Sequence, residues 1–249
     1  MEQLTKDVIH WIKDYFAGNP DGKVICGISG GKDSTIVAAL CKEALGADRV
    51  IGVLMPNGMQ TDIEDSYKVC ELLGIKHYTI DIYPSYSGLI KRIFPYTPIT
   101  DIPPSVATNL PSRLRMCTLY TIASIYPNSR VVNTSNFSER YIGYSTKFGD
   151  GAGDFSPIGS LTVREVLAIG DDLGLPHDLV HKTPSDGMSG KSDEERIGFT
   201  YDELDDYLLT GSATDEVEEK IKRLYKMNKH KTSMMPMFDD FWADEEDSE

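Results

Sequence analysis

Residues 23–35 read Lys23-Val24-Ile25-Cys26-Gly27-Ile28-Ser29-Gly30-Gly31-Lys32-Asp33-Ser34-Thr35. An apolar run ends in a glycine-rich turn and a helix-like run over 35–45 follows, so the stretch reads as strand, turn and helix start. That arrangement makes a cradle for a pyrophosphate. Successive backbone N–H groups of the turn converge on an anion, and the unpaired donors of the first helical turn add to them. Gly30 and Gly31 remove side chains that would block close approach. Ser29 and Ser34 supply hydroxyl donors, and Lys32 a mobile positive charge. Asp33 beside a polyanion makes sense if it holds a divalent cation against the phosphates, so Mg²⁺ is implied.

The spacing is not that of the ordinary P-loop, which needs Gly-x-x-x-x-Gly-Lys-Ser/Thr. Ser29-Gly30-Gly31-Lys32-Asp33-Ser34 instead resembles the PP-loop of ATP pyrophosphatases, which split ATP between the α- and β-phosphates and form an adenylated intermediate. A ligand-free Gly-Gly turn is the plain alternative. Against it stands the position of these residues at a strand-to-helix junction, where open α/β sheets bind ligands.

Around this segment strands and helices alternate. A helical stripe over 4–17 (Leu4, Val8, Ile9, Trp11, Ile12, Tyr15, Phe16) precedes the first strand, 23–28. Further strands are expected at 49–55, 76–82 and 130–134, with helices at 35–45 and 61–73 between the earlier ones. This order predicts an α/β fold, a Rossmann-like, doubly wound parallel sheet flanked by helices. The Pro-punctuated stretch 83–111 suggests two shorter helices with connectors, ahead of a helix over 112–125. A Gly/Asp-rich loop over 147–154 looks functional, and 161–173 returns to helix, with Thr162 as N-cap, Glu165 as its capping partner and Gly174 as stop. The polar stretch 181–198 reads as a mobile lid, and 201–209 and 216–228 as the last helices.

The 249 residues fit one domain, 1–242, followed by an acidic tail, 243–249. A net charge of −14 argues against a nucleic-acid partner, because phosphate-backbone binding needs clustered cations. Neither a membrane-spanning run nor a signal-peptide pattern is visible, so a cytoplasmic protein is expected. Cys26, Cys41, Cys70 and Cys117 have no metal-ligand spacing and read as reduced core or near-core thiols.

Downstream segments sharpen the resemblance. Arg113-Leu114-Arg115-Met116, Thr134 with Glu139, Thr146-Lys147-Phe148-Gly149-Asp150-Gly151 with Asp154, Tyr201-Asp202-Glu203-Leu204-Asp205-Asp206-Tyr207-Leu208 and His230-Lys231 together make the chain similar to ammonia-dependent NAD⁺ synthetases of the adenine nucleotide alpha hydrolase-like superfamily. The resemblance implies that the nicotinate carboxylate of deamido-NAD⁺ attacks the α-phosphorus of ATP, and that ammonia then displaces AMP. It further implies that Gly27, Ile28, Ser29, Gly30, Gly31, Lys32, Asp33 and Ser34 hold ATP, with Thr134 and the lid's Ser185, and that Asp33 and Glu139 ligate Mg²⁺. Arg113, Lys147, Asp154, His230 and Lys231 would contact the dinucleotide. Asp33, Ser34 and Asp150 are the catalytic candidates, Asp150 as the ammonia pocket. A homodimer is implied, for which the helices of 83–126, with Ile90, Ile93, Phe94 and Leu119, are the candidate contact region.

Plainer roles stand beside these. Glu139 could serve a helix dipole, Arg113 and Arg115 could be solvated, Lys147 and Asp154 could shape a turn, and His230 and Lys231 could complement a helix end. One departure is clear: where the family commonly has a lysine on an ATP phosphate, this chain has Val163, with Arg164 or Lys182 as substitutes. No glutaminase segment is seen ahead of Gly27, so free ammonia is the expected nitrogen source. Two rivals are another PP-loop enzyme, such as a tRNA-modifying ligase, and a nucleotide-binding regulatory module. The first would want a basic face or a cysteine relay, and the second has less need of paired metal carboxylates.

Overall fold

The protein is described by a computed structural model that covers residues 2–60, 63–98, 100–181 and 193–238. A first helix, α1 (Glu2–Tyr15), leads into β1 (Val24–Gly27), α2 (Lys32–Leu45), β2 (Val50–Leu54), α3 (Ile63–Leu73) and β3 (Lys76–Thr79). Then come α4 (Tyr83–Ile93), α5 (Pro104–Ile125), β4 (Arg130–Val131), α6 (Phe137–Ile142), α7 (Val163–Asp172), α8 (His177–Val180), α9 (Asp193–Ile197), α10 (Tyr201–Thr210) and α11 (Asp215–Thr232). The four strands form one parallel sheet in the order β3-β2-β1-β4, with Ile25 opposite Ile51 on one side of β1 and Val131 on the other. The expected parallel α/β sheet is borne out, and the strand order changes direction at β1, which puts the glycine turn at the switch point.

Alternation along β1 divides the core. Val24, Cys26 and Ile28 face one layer, where Ile12 of α1, Ile36 and Leu40 of α2, and Ile169 of α7 are fully buried. Ile25 faces the other layer with Met116, Leu119 and Ile122 of α5. A strand covered on both faces has no polar side to expose, which is why β1 and β2 are almost wholly apolar. A third cluster joins Ile142 of α6, Leu204 of α10 and Ile221 of α11. It packs these helices beside the C-terminal ends of the strands.

Several expectations need correction. α5 runs unbroken through Pro111 instead of starting at 112. A proline forfeits a single bond, here the one to the carbonyl of Ala107, and burial of Met116, Leu119 and Ile122 carries the helix across it. Leu119 is therefore core and unavailable to a partner. Cys117 is exposed on α5, whereas Cys26, Cys41 and Cys70 are buried; all four are free thiols. β3 is a short, mostly exposed edge strand, shorter than the predicted 76–82. β4 ends at Val131 because the returning Gly/Asp loop takes over the pairing: Asp154 N–H donates to Val131 O at 2.8 Å and Asn133 N–H to Phe155 O at 2.8 Å. α11 extends to Thr232, so His230 and Lys231 sit in its last turn. The capping box of Thr162 and Glu165 is as expected. Most of the predicted lid, with Lys182 and Ser185, and the acidic tail lie outside the described residues. Among the described residues no helix is long and apolar enough to cross a membrane.

Candidate active site

The glycine turn is braced from within. Ser29 Oγ and Ser34 Oγ lie 3.0 Å apart, Ser34 Oγ donates to Gly31 O at 3.1 Å, and Thr35 Oγ1 donates to the same carbonyl at 2.8 Å. Gly31 opens α2 without any side-chain cap. The first-turn N–H groups of a 14-residue helix are thus left for an anion. Gly30 has φ +76°, and a Cβ there would come within 3.0 Å of both Asp65 Cβ and the Ser66 backbone nitrogen. Glycine is required at that point by conformation and by space.

Opposite the turn, β4 leads through Asn133, Thr134 and Ser135 into α6. Asn136 caps α6 in a capping box with Glu139: its side chain accepts from Glu139 N–H at 2.9 Å, and Glu139 Oε2 accepts from Asn136 N–H at 3.3 Å. The same Asn136 amide donates to Asp33 Oδ1 at 3.3 Å. One asparagine thereby fixes both proposed metal carboxylates. The resemblance singles out Thr134 and Glu139 but not the residues between them; the Asn-x-x-Glu spacing of a capping box is the signal in the sequence for Asn136.

Lys32 departs from its expected mobile role. It is 6% exposed, donates to Asp33 Oδ2 at 2.8 Å, and sits 5.8 Å from the centre of the Tyr201 ring. Burial by itself would lower its pKa, but Asp33 and Glu139 outweigh that and hold the ammonium above its ordinary value. Glu139 is pushed well above the usual carboxylate range, by burial first and then by Asp33, with Lys32 opposing. Two carboxylates and a single lysine leave the cluster short of positive charge. An all-oxygen donor set of this kind suits Mg²⁺, which keeps waters and shares phosphate oxygens instead of needing a complete protein cage. Among the described residues no group of three His, Cys, Asp or Glu side chains is placed to hold a metal.

A second group of residues converges between α5, the Gly/Asp loop and α11. Arg113 Nε donates to Lys147 O at 3.2 Å, and Lys147 Nζ donates to His230 O at 2.5 Å. Lys231 Nζ donates to Gly143 O at 2.8 Å, and its pKa is lowered by burial, with Asp150 opposing. Asp150 Oδ1 accepts from Ser112 Oγ at 2.6 Å and from Thr146 N–H at 3.0 Å, which sets the orientation of that carboxylate. Lys231 and Asp154 also line one cavity of about 310 Å³ with Asn133 and Arg140. Arg113, Lys147, Asp150, His230 and Lys231 are therefore neighbours although distant in sequence. Thr134 is half-buried on the connection to α6.

Two candidates are committed to the fold. Asp154 accepts from Val131 N–H at 2.7 Å and from Tyr120 Oη–H at 3.1 Å, both bonds that hold the loop to the sheet edge. Arg164, one candidate to replace the missing lysine, is paired with α10: both its terminal nitrogens lie 3.0 Å from Asp206 Oδ1. Sequence reading also missed Asn133, whose amide donates to Asp150 O at 2.7 Å and Ala152 O at 3.0 Å and which carries no motif of its own. Asp205 lies in the 201–208 segment singled out above, but the sequence assigns it no role; it is buried between Ser138 Oγ and Arg164 N–H.

Comparison with known proteins agrees with this geometry. The NAD synthase family model matches residues 4–235. The NH(3)-dependent NAD(+) synthetase of Carboxydothermus hydrogenoformans is 36% identical over 92% of this chain and 94% of its own length. Among solved structures, an NMN synthetase from Francisella tularensis is 32% identical with a TM-score of 0.87, covering 95% of this chain and 98% of that one. The NH3-dependent NAD synthetase from Campylobacter jejuni is 28% identical with a TM-score of 0.75, over 95% and 97%. A family match of this extent, on a chain whose glycine turn and paired carboxylates meet at the sheet's switch point, means that the chain belongs to the NAD synthase family.

Proposed function

We propose that this chain makes NAD⁺ by ATP-dependent amidation of deamido-NAD⁺ with free ammonia, releasing AMP and diphosphate. The observation that carries the reading is the uncapped, hydroxyl-braced N-terminus of α2, whose own Asp33 is joined through Asn136 to Glu139 of α6. A carboxylate resists attack by ammonia because it is already anionic. Adenylation removes that charge and installs a leaving group. The protein's part is positioning and charge stabilisation.

In this reading the turn from Gly27 to Ser34 holds the β- and γ-phosphates of ATP, with Thr134 and Ser185 at the nucleotide. Asp33 and Glu139 would hold Mg²⁺, which supplies charge neutralisation to the departing diphosphate. Lys32, resting on Asp33, is close enough to share that work. Arg113, Lys147, His230 and Lys231 fix the nicotinate-bearing substrate, with Asp154 at the rim of the cavity. Asp150 receives ammonium and takes its proton. The mostly solvent-facing α4, which contributes no buried residue, makes a homodimer contact through Ile90 and Ile93, with Phe94 directly after it. Free thiols suit a cytoplasmic setting.

A second acceptor is favoured by one observation, the higher TM-score to the NMN synthetase than to the Campylobacter NAD synthetase. Nicotinate mononucleotide presents the same carboxylate, so the same chemistry would yield NMN. Incubation with ATP, Mg²⁺, ammonium and each acceptor separately tests both readings. NAD⁺ and AMP from deamido-NAD⁺ are expected. Faster turnover of the mononucleotide would favour the second acceptor, and ADP as product would reject the chemistry for both.

A further inference from the structure

Tyr201 opens α10 and is 4% exposed, yet its hydroxyl has no hydrogen-bond partner. A buried hydroxyl left unpaired costs the fold the desolvation of that group with nothing in return, so such groups are rare and call for an explanation. The position of this one is informative. Lys32 Nζ, the ammonium of the glycine turn, lies 5.8 Å from the centre of the Tyr201 ring. Burial first, and then the nearby carboxylates of Glu139, Asp193 and Asp33, disfavour ionisation of the phenol. The hydroxyl therefore stays neutral, a donor without an acceptor. The backbone at this point is firmly set: Tyr201 N–H donates to Glu194 Oε1 at 2.9 Å, and Thr200 and Glu203 form a capping box. The side chain is held in place by its surroundings and not by a bond of its own.

We propose that Tyr201 is a nucleotide-binding residue of this site, whose hydroxyl donates to a polyphosphate oxygen of the bound nucleotide. The free enzyme bears the cost of the unpaired donor, and the incoming anion supplies the acceptor. The ring plays a second part, as the apolar surface against which Lys32 rests before it turns to the same phosphates. This assignment rests on the glycine turn being the pyrophosphate seat, and it adds a residue from the opposite wall.

Tyr201→Phe tests it, because phenylalanine keeps the ring and removes only the oxygen. Binding of magnesium pyrophosphate and of Mg²⁺ alone is measured by calorimetry for wild type and variant, with thermal melting of each ligand-free protein. The ligand-free variant should melt higher than wild type. Its affinity for magnesium pyrophosphate should fall by roughly tenfold, the loss of a hydrogen bond to a charged acceptor. Its affinity for Mg²⁺ alone should not change. Equal pyrophosphate affinity in the two proteins would overturn the assignment while leaving the seat intact. An equal loss of affinity for Mg²⁺ alone would also overturn it, by placing the hydroxyl on the metal's water. Wild-type protein that takes up no magnesium pyrophosphate would overturn the seat itself, and this assignment with it.

Discussion

Asp33, Asn136 and Glu139 are the smallest unit from which the chemistry can be argued. Glu139 is raised from an ordinary 4.5 to about 8, mainly by burial and by Asp33. A raised carboxyl binds its proton more tightly folded than unfolded, so the contribution of Glu139 to metal-free stability is full below 4.5 and is lost as pH rises toward 8. Glu139→Gln removes that dependence and keeps the N3 acceptor of the capping box. The melting temperature of metal-free Glu139→Gln should exceed that of wild type by more at pH 8 than at pH 5, while Mg²⁺-dependent turnover falls at least a hundredfold; a constant gap across pH would contradict the burial of this charge. Gly30→Ala is the second test at this scale. A left-handed φ and two contacts at 3.0 Å should cost about 1–3 kcal/mol in denaturant unfolding and weaken ATP binding. Unchanged values on both counts would mean that the turn accepts a side chain.

Elements show why some of the site could be read from sequence and some could not. The strand, glycine turn and helix of residues 23–45 were legible because local chemistry and long-range packing ask for the same residues there: apolar alternation for the two core layers, glycine for the turn, hydroxyls for its bracing. The capping boxes of α7 and α10 are also local. The roles of Asp154 and Arg164 were not legible, since their partners, Val131, Tyr120 and Asp206, are set by how the Gly/Asp loop and α10 dock. Lys32 was misjudged for the same reason, since Tyr201 arrives from α10 to cover it. Asp205 belongs to this scale. Its carboxylate ties α10 to Ser138 of α6 and to Arg164 N–H of α7. Asp205→Ala leaves the buried Ser138 hydroxyl and the half-buried Arg164 N–H without this acceptor and should cost about 2–5 kcal/mol. Urea unfolding checks this, and a loss under 1 kcal/mol would show that the third core cluster holds these helices unaided.

On the scale of the whole molecule, α4 is the conspicuous loose end, with Leu89 and Ile93 exposed and none of its residues buried. Contact between two copies would cover it. Light scattering should give about twice the 27.7 kDa chain mass, and Ile93→Asp should shift it toward the monomer; a monomeric wild type would remove α4 from the interface. In the proposed reading the sheet, its switch point and the three core clusters serve one outcome, which is to hold the outer phosphates of ATP so that the inner phosphorus is open to a carboxylate. Oxygen tracing tests that most directly. With deamido-NAD⁺ carrying ¹⁸O in its nicotinate carboxylate, one labelled oxygen should appear in AMP and none in diphosphate, by ³¹P nuclear magnetic resonance. Label in diphosphate or in inorganic phosphate, with AMP unlabelled, would contradict attack at the α-phosphorus.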